Sequence, residues 1–183
     1  MKKNIYILGN GQFANFTFHL IKDLKKYKFS GYIIKENTKK KFFFEEKFFL
    51  KKKRNLIFPA IGNLNLRLKV IKKIIDSKNI IPNIIHPSAR INKSAKFKSI
   101  MATYNSFISN NVSIGDYSII GTGSFIHHDT IVGKNCLIGG GTHIGAGVTV
   151  GDNVLFGIGS SVASKKIKIG NTSIIASGAS ILS

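Results

Sequence analysis

The sequence predicts two units in tandem: an α/β unit over residues 1–85 and a parallel β-helix of about five coils over residues 86–183. Three observations predict them. An apolar residue recurs at every sixth position from Ile108 to Val162 without a miss. The chain opens with an apolar run, a glycine-rich turn and an amphipathic stretch. Between the two patterns stands His86-Pro87-Ser88-Ala89, where proline ends one kind of order and the six-residue repeat begins.

A period of six is neither the helical period nor strand alternation. The apolar series is Ile108, Ile114, Ile120, Ile126, Val132, Ile138, Ile144, Val150, Phe156 and Val162. Two residues before each stands a small or β-branched residue, from Ser106 to Ser160. One residue after most of them stands glycine, as at Gly115, Gly133 and Gly157. Each six therefore supplies one short strand and one corner. The large aliphatic fills the interior, the small residue packs beside it, and glycine is expected to permit the corner's backbone. Three sixes close a triangular coil. Ile91 and Phe97 extend the series upstream. Ile169, Ile175 and Ile181 extend it downstream, after one extra residue near Lys165-Lys166.

The α/β unit reads in chain order as follows. Residues 4–8 form a buried strand, and Gly9-Asn10-Gly11-Gln12-Phe13-Ala14 forms a turn. A helix is expected over Phe16 to Tyr27, with Leu20, Ile21 and Leu24 towards the sheet. Ser30 to Ile34 is a second strand. Phe42 to Phe49 reads as a short helix, and Asn55 to Phe58 as a third strand. Leu64 to Asp76 reads as a helix with Leu68, Ile71 and Ile75 on its buried side. Ile80 to Ile85 is a short strand or linker. Strand, glycine turn and helix together open a Rossmann-like unit, in which bare helix N–H groups can face a phosphate. This unit is too short for a complete dinucleotide site and suits a mononucleotide or a nucleotide-sugar.

Charge and cysteine content narrow the function classes. The net charge is +20, with +15 on residues 1–85 and +5 on the remainder. Basic residues without interleaved aromatic patches do not indicate nucleic-acid reading. Cys136 is the one cysteine and stands in an inward small slot, so no disulfide framework is expected. Met1-Lys2-Lys3 leads into an apolar run too short for an export signal, and no run approaches a membrane span, so a cytoplasmic location is expected.

The order of four motifs carries a resemblance over nearly the whole chain. These are the glycine loop at 9–14, Ile61-Gly62-Asn63 with Arg67 following, Ile85-His86-Pro87-Ser88-Ala89, and Phe125-Ile126-His127-His128-Asp129 within the coils. The chain resembles the NeuD/PglD-type sugar acyltransferases, which include sialic acid O-acetyltransferases and UDP-4-amino-sugar N-acetyltransferases. The resemblance implies a left-handed β-helix, an exception to the right-handed crossover rule. It implies a homotrimer with acetyl-CoA in grooves between neighbouring helices. No two histidines show a metal-ligand spacing with carboxylates, so no metal is expected. By the same resemblance His128 is the catalytic base and Asp129 the group that orients it. Gly11, Gln12 and Phe13, Lys35 and Glu36, and Gly62 and Asn65 fall on segments that hold the nucleotide-sugar. Ala146, Ile158 and Ser177 fall where the backbone meets acetyl-CoA. Leu137 stands where amino-sugar members often carry histidine, and Gln12-Phe13 where Gly-His is common.

The spacing is consistent with acyl-transfer chemistry, which needs a base at the attacking atom and donors at the developing oxyanion. His128 stands two residues past inward Ile126, hence at a corner and outward. Ala146 is one coil on. The other histidines read as structural or surface groups: His127 and His143 outward, His86 a hinge, His19 on a helix surface. The expected activity is N-acetylation of a nucleotide-linked amino sugar for surface glycans. Alternatives are O-acetylation of a sialic-acid-like sugar, an NAD-binding oxidoreductase, and a non-catalytic trimeric assembly protein. The outward apolar residues Phe107, Phe125 and Leu155 are expected to be covered by a second copy.

Overall fold

The computed structural model describes residues 2–34, 43–47, 51, 53–164 and 166–182. The chain divides into two compact units, residues 1–82 and 83–183.

The first unit is built on a four-stranded parallel sheet. Its strands are β1 (Lys3–Leu8), β2 (Tyr27–Ile34), β3 (Phe43–Glu45) and β4 (Leu56–Pro59), in the order β3-β2-β1-β4. Ile5, Ile7, Ile33 and Ile57 are fully buried, as expected of strands covered on both faces. β1 connects to β2 through α1 (Gln12–Asp23). This helix begins four residues before the expected start, because the chain turns into it directly at Gly11. It ends at Asp23 because Tyr27 is already paired with Lys3 in the sheet. Its buried residues are Ala14, Thr17, Leu20 and Ile21.

After β4 comes α2 (Leu64–Asp76). Asn63 caps it, its side chain accepting from the Leu66 N–H at 2.9 Å. The expected buried face of α2 is out of phase. Val70, Ile71, Ile74 and Arg67 are inside, whereas Leu68 and Ile75 are 37% and 46% exposed. A charged residue on the inner stripe hid the true phase. Within the short helix expected over 42–49, Phe43–Glu45 is a strand while Glu46 and Lys47 are helical, and Phe42, Phe48 and Phe49 lie outside the described residues.

The second unit is a three-sided parallel β-helix. One face carries Ile84–Ile85, Met101–Ala102, Ile119–Ile120, Leu137–Ile138, Leu155–Phe156 and Ile174–Ile175. The second carries Arg90–Ile91, Phe107–Ile108, Phe125–Ile126, His143–Ile144, Ser161–Val162 and Ser180–Ile181. The third carries Ser113–Ile114, Ile131–Val132, Thr149–Val150 and Lys168–Ile169. Ile84–Ile85 pairs with Met101–Ala102 and adds a rung upstream of the expected start at Ile91.

The register is the predicted one. Phe125 pairs with His143 and Ile131 with Thr149, each eighteen residues on. Past Val162 the step becomes nineteen, with Val150 opposite Ile169 and Phe156 opposite Ile175. The one extra residue is thus absorbed between Val162 and Lys168. The inward series from Ile108 to Val162 is 0–5% exposed, and the small slots from Ser106 to Ser160 are wholly buried. Where those slots are polar, their hydroxyls bond to backbone carbonyls: Ser118 to Gly133, Ser124 to Gly139 and Thr130 to Gly145, each at 2.8 Å. The core is therefore apolar without stranding a polar group.

The glycine after each inward residue serves a different purpose from the one expected. At Gly115 a Cβ would stand 2.5 Å from the Gly133 carbonyl carbon and the Lys134 nitrogen, so coil-to-coil clearance excludes a side chain. The left-handed backbone falls instead three residues before each inward residue, at Asn105, Asn111, Tyr117, Asp129, Asn135 and Asn153 among others. Asparagine, aspartate and glycine tolerate that conformation best. Exposed Asn105 has φ 52°. Asn105→Gly is expected to leave stability near its original value. Asn105→Ala is expected to cost about 1 kcal/mol, read from the denaturant midpoints of the two variants.

Candidate active site

His128 and Asp129 sit at the edge between the second and third faces of the β-helix. The inward strand ends at Ile126, and the next turns inward at Thr130. The coils on either side hold this backbone. The His128 carbonyl accepts the Gly147 N–H at 3.1 Å, and the Asp129 N–H donates to the Asn110 carbonyl at 3.1 Å. Both side chains are more than half exposed. Asp129 is in the left-handed region (φ 58°), which brings its carboxylate beside the preceding ring. His128 Nδ1 and Asp129 Oδ2 are 2.7 Å apart.

The other carboxylate oxygen accepts from Asn111 Nδ2 at 3.0 Å, one coil back. The hydrogen bond from His128, then that from Asn111, holds the Asp129 carboxyl below the usual carboxylate range. An ionised Asp129 fixes the proton on His128 Nδ1 and leaves Nε2 as the basic nitrogen.

One coil on, Ala146 stands on the same edge, between amides already used in the ladder. Gly145 donates to the Val162 carbonyl and Gly147 to that of His128. The Ala146 N–H donates to Ser164 Oγ at 3.2 Å. The structure thus brings His128, Asp129 and Ala146 together. Ile158 and Ser177 stand on the neighbouring edge, between the first and second faces, where the Gly178 N–H reaches the Ile158 carbonyl at 2.9 Å. Ile158 is 71% exposed.

The second face lies between these two edges. Its outer surface carries a ladder of rings: Phe107 and Phe125 at 5.6 Å between centroids, and Phe125 stacked on His143 at 4.8 Å. His86, at the head of this unit, is tied to Ser88 by its Nδ1 at 2.7 Å and packs against Tyr104. His127 is exposed at the His128 corner.

In the first unit, Gly11, Gln12, Phe13 and Gly62 line a cleft of about 600 Å³. It lies where the adjacent strands β1 and β4 end and the helices α1 and α2 begin. Gly9 (φ 123°) lies so close to the Ala60 carbonyl that a Cβ would stand 2.9 Å from it. Only glycine lets the two loops meet. The α1 N-terminus has no side-chain cap, and its first residues, Gln12 and Phe13, line the cleft. Glu46 also lines the cleft and pairs with Lys73 at 2.9 Å. Asn65 is exposed on the first turn of α2 and does not line the cleft; Lys35 and Glu36 lie outside the described residues. Among the described residues no group of three His, Cys, Asp or Glu side chains could hold a metal ion, and no helix is long and apolar enough to cross a membrane.

Asn111 and Ser164 were not singled out from the sequence. Their signal was the coil length itself, since each stands eighteen residues from a candidate site residue.

Residues 129–162 and 147–183 match the hexapeptide repeat of succinyl-transferase. Among curated proteins none matches the sequence. Solved structures match over almost the whole chain. One is a histidine-to-alanine mutant of GDP-perosamine N-acetyl transferase from Caulobacter crescentus, in complex with CoA and GDP-perosamine. It is 24% identical, with a TM-score of 0.89 over 98% of this chain and 88% of that one. The two chains share one fold. The acetyltransferase domain of PglB from Neisseria gonorrhoeae is 17% identical, with a TM-score of 0.86 over 99% and 92% of the two chains. WeeI from Acinetobacter baumannii is 16% identical, with a TM-score of 0.84 over 100% and 92%. These matches fit a left-handed β-helix, so the resemblance to the NeuD/PglD-type acyltransferases holds in the fold.

The Asp129 carboxyl is depressed in the folded chain, so its contribution to stability is present above the ordinary aspartate range. That contribution is lost as pH falls through the folded value. Asn111→Ala removes one of the two bonds responsible. An NMR titration of the Asp129 carboxyl carbon is expected to move upward in that variant; an unchanged titration would remove Asn111 from the site.

Proposed function

We propose that the chain is an acetyl-CoA-dependent N-acetyltransferase acting on a nucleotide-linked amino sugar in surface-glycan biosynthesis. The observation that carries this reading is the His128–Asp129 pair on an exposed edge of a hexapeptide β-helix, one coil from the Ala146 amide. The solved structures of like fold support the substrate class. One holds CoA with GDP-perosamine, and a second form of the PglB domain holds acetyl coenzyme A.

In this reading the first unit is Rossmann-like. Gly11, Gln12 and Phe13 receive the diphosphate at the α1 N-terminus, and Gly62 closes the other side of the cleft. Lys35 and Glu36 complete the substrate-binding set, and Asn65, which stands outside the cleft, is left out of it. His128 Nε2 takes the proton as the sugar amine attacks the thioester carbonyl. Asp129 stabilises the imidazolium that forms. Hydrogen-bond donors at Ala146 face the oxyanion. Ile158 and Ser177 meet the pantetheine chain, and CoA leaves as the thiol. Two edges flanking one face with an outer ladder of rings call for a partner, and a homotrimer covers the Phe107–Phe125–His143 ladder.

A hydroxyl acceptor, as in a sialic-acid-like sugar, uses the same base and gives the second reading. Free-thiol release from acetyl-CoA over a panel of amino and hydroxy sugar nucleotides separates the two. His128→Ala is expected to lower transfer by roughly 10²–10⁴-fold, with only a small change in the thermal midpoint because the pair is exposed. A rate that survives this substitution would remove His128 as the base. Isothermal titration is expected to show nucleoside diphosphate binding by the wild-type chain and loss of it in Gly11→Val. Tight NAD binding with no nucleotide-sugar binding would favour an oxidoreductase.

A further inference from the structure

The edge that carries His128 continues one rung past Ala146. Ser164 stands there, eighteen residues on, and its hydroxyl oxygen accepts the Ala146 N–H at 3.2 Å. The contact is built into the backbone. Gly145 has no side chain, and a Cβ on it would lie 2.5 Å from the Ser164 nitrogen and 2.6 Å from the Ala163 carbonyl carbon. That clearance lets the Ser164 coil rise against the Ala146 coil. The flanking amides of Gly145 and Gly147 are committed to the ladder, leaving the Ala146 amide to the serine. Between Val162 and Lys168 the step of the repeat lengthens from eighteen to nineteen.

A hydroxyl that accepts a hydrogen bond becomes a better donor, because the chain of bonds is polarised in one direction. Its oxygen is held by the amide, and its hydrogen is left to turn outward on the edge that carries the imidazole. We infer that Ser164 is a catalytic residue whose hydroxyl donates to the thioester carbonyl oxygen, with the Ala146 amide acting through it.

This inference rests on the acetyltransferase reading and deepens it. The amine lone pair forms the new C–N bond at the carbonyl carbon, and the C=O π pair moves onto oxygen, where the Ser164 O–H receives it. His128 takes the ammonium proton. The oxyanion then reforms C=O, the C–S bond breaks, and the thiolate takes the proton from the imidazolium. Ser164 donates throughout and forms no covalent bond.

The test compares Ser164→Ala and Ser164→Thr with the wild type in acetyl-CoA thiol release, with thermal midpoints recorded for all three. Ser164→Ala is expected to lower kcat about 10²-fold with KM for acetyl-CoA unchanged. Ser164→Thr, which keeps the hydroxyl, is expected to retain most of the rate. Should the amide serve the carbonyl directly, Ser164→Ala would free it, and the rate would hold or rise. That result, or a loss in Ser164→Thr equal to that in Ser164→Ala, overturns the inference and leaves the acetyltransferase reading standing. Absence of transfer by the wild type with every amino-sugar nucleotide overturns both.

Discussion

The backbone ladder between successive coils is the constraint on which the second unit depends. Each strand is only two residues long, far too short to stand alone. It persists because its N–H and C=O groups are taken by the coils before and after it, as when Phe125 donates to Thr142 while Phe107 donates to Ser124. The ladder in turn requires the coils to approach closely, which excludes side chains at positions such as Gly115. The same approach brings Asn111, His128, Ala146 and Ser164 onto one line. Packing and chemistry therefore have a single geometric origin here.

The first unit reaches its cleft by another route. Four parallel strands place their C-terminal ends side by side, and the loops after β1 and β4 enclose the opening between two helix N-termini. α1 is left uncapped at Gly11, whereas Asn63 caps α2 with its own side chain. The two ends therefore differ in what they offer a ligand. Bare N–H groups at α1 suit an anion, and the satisfied end at α2 serves as a wall.

The β-helix was legible because its interior is read every six residues and every small slot is buried, so each residue in the series faces the same physical demand. The extra residue near Lys165-Lys166 was legible for the same reason: it shifts the phase of everything after it. The purpose of the glycines was misread, since a sequence does not distinguish a glycine needed for its torsion from one needed for its lack of bulk. Tyr117, in the left-handed region at φ 68°, shows that the turn tolerates an unfavourable residue when the ladder fixes it. The phase of α2 was lost because buried Arg67 interrupts the apolar stripe. His128 and Asp129 were visible as neighbours in sequence, but Asn111, the partner of Asp129, lies a full coil away, as does Ser164 from its partner Ala146. Nothing local marks them.

Stacked coils also ration distance. Along an edge, the separation between two backbone positions comes only in whole steps of about 4.8 Å. That is coarse beside the tenths of an ångström on which proton transfer turns. Fine placement must then come from reach rather than from backbone: an imidazole steadied by the next residue's carboxylate, or a serine bridging up to the amide above it. A rigid spool of this kind can accept a different substrate by exchanging a few edge side chains, while the scaffold that spaces them stays as it is.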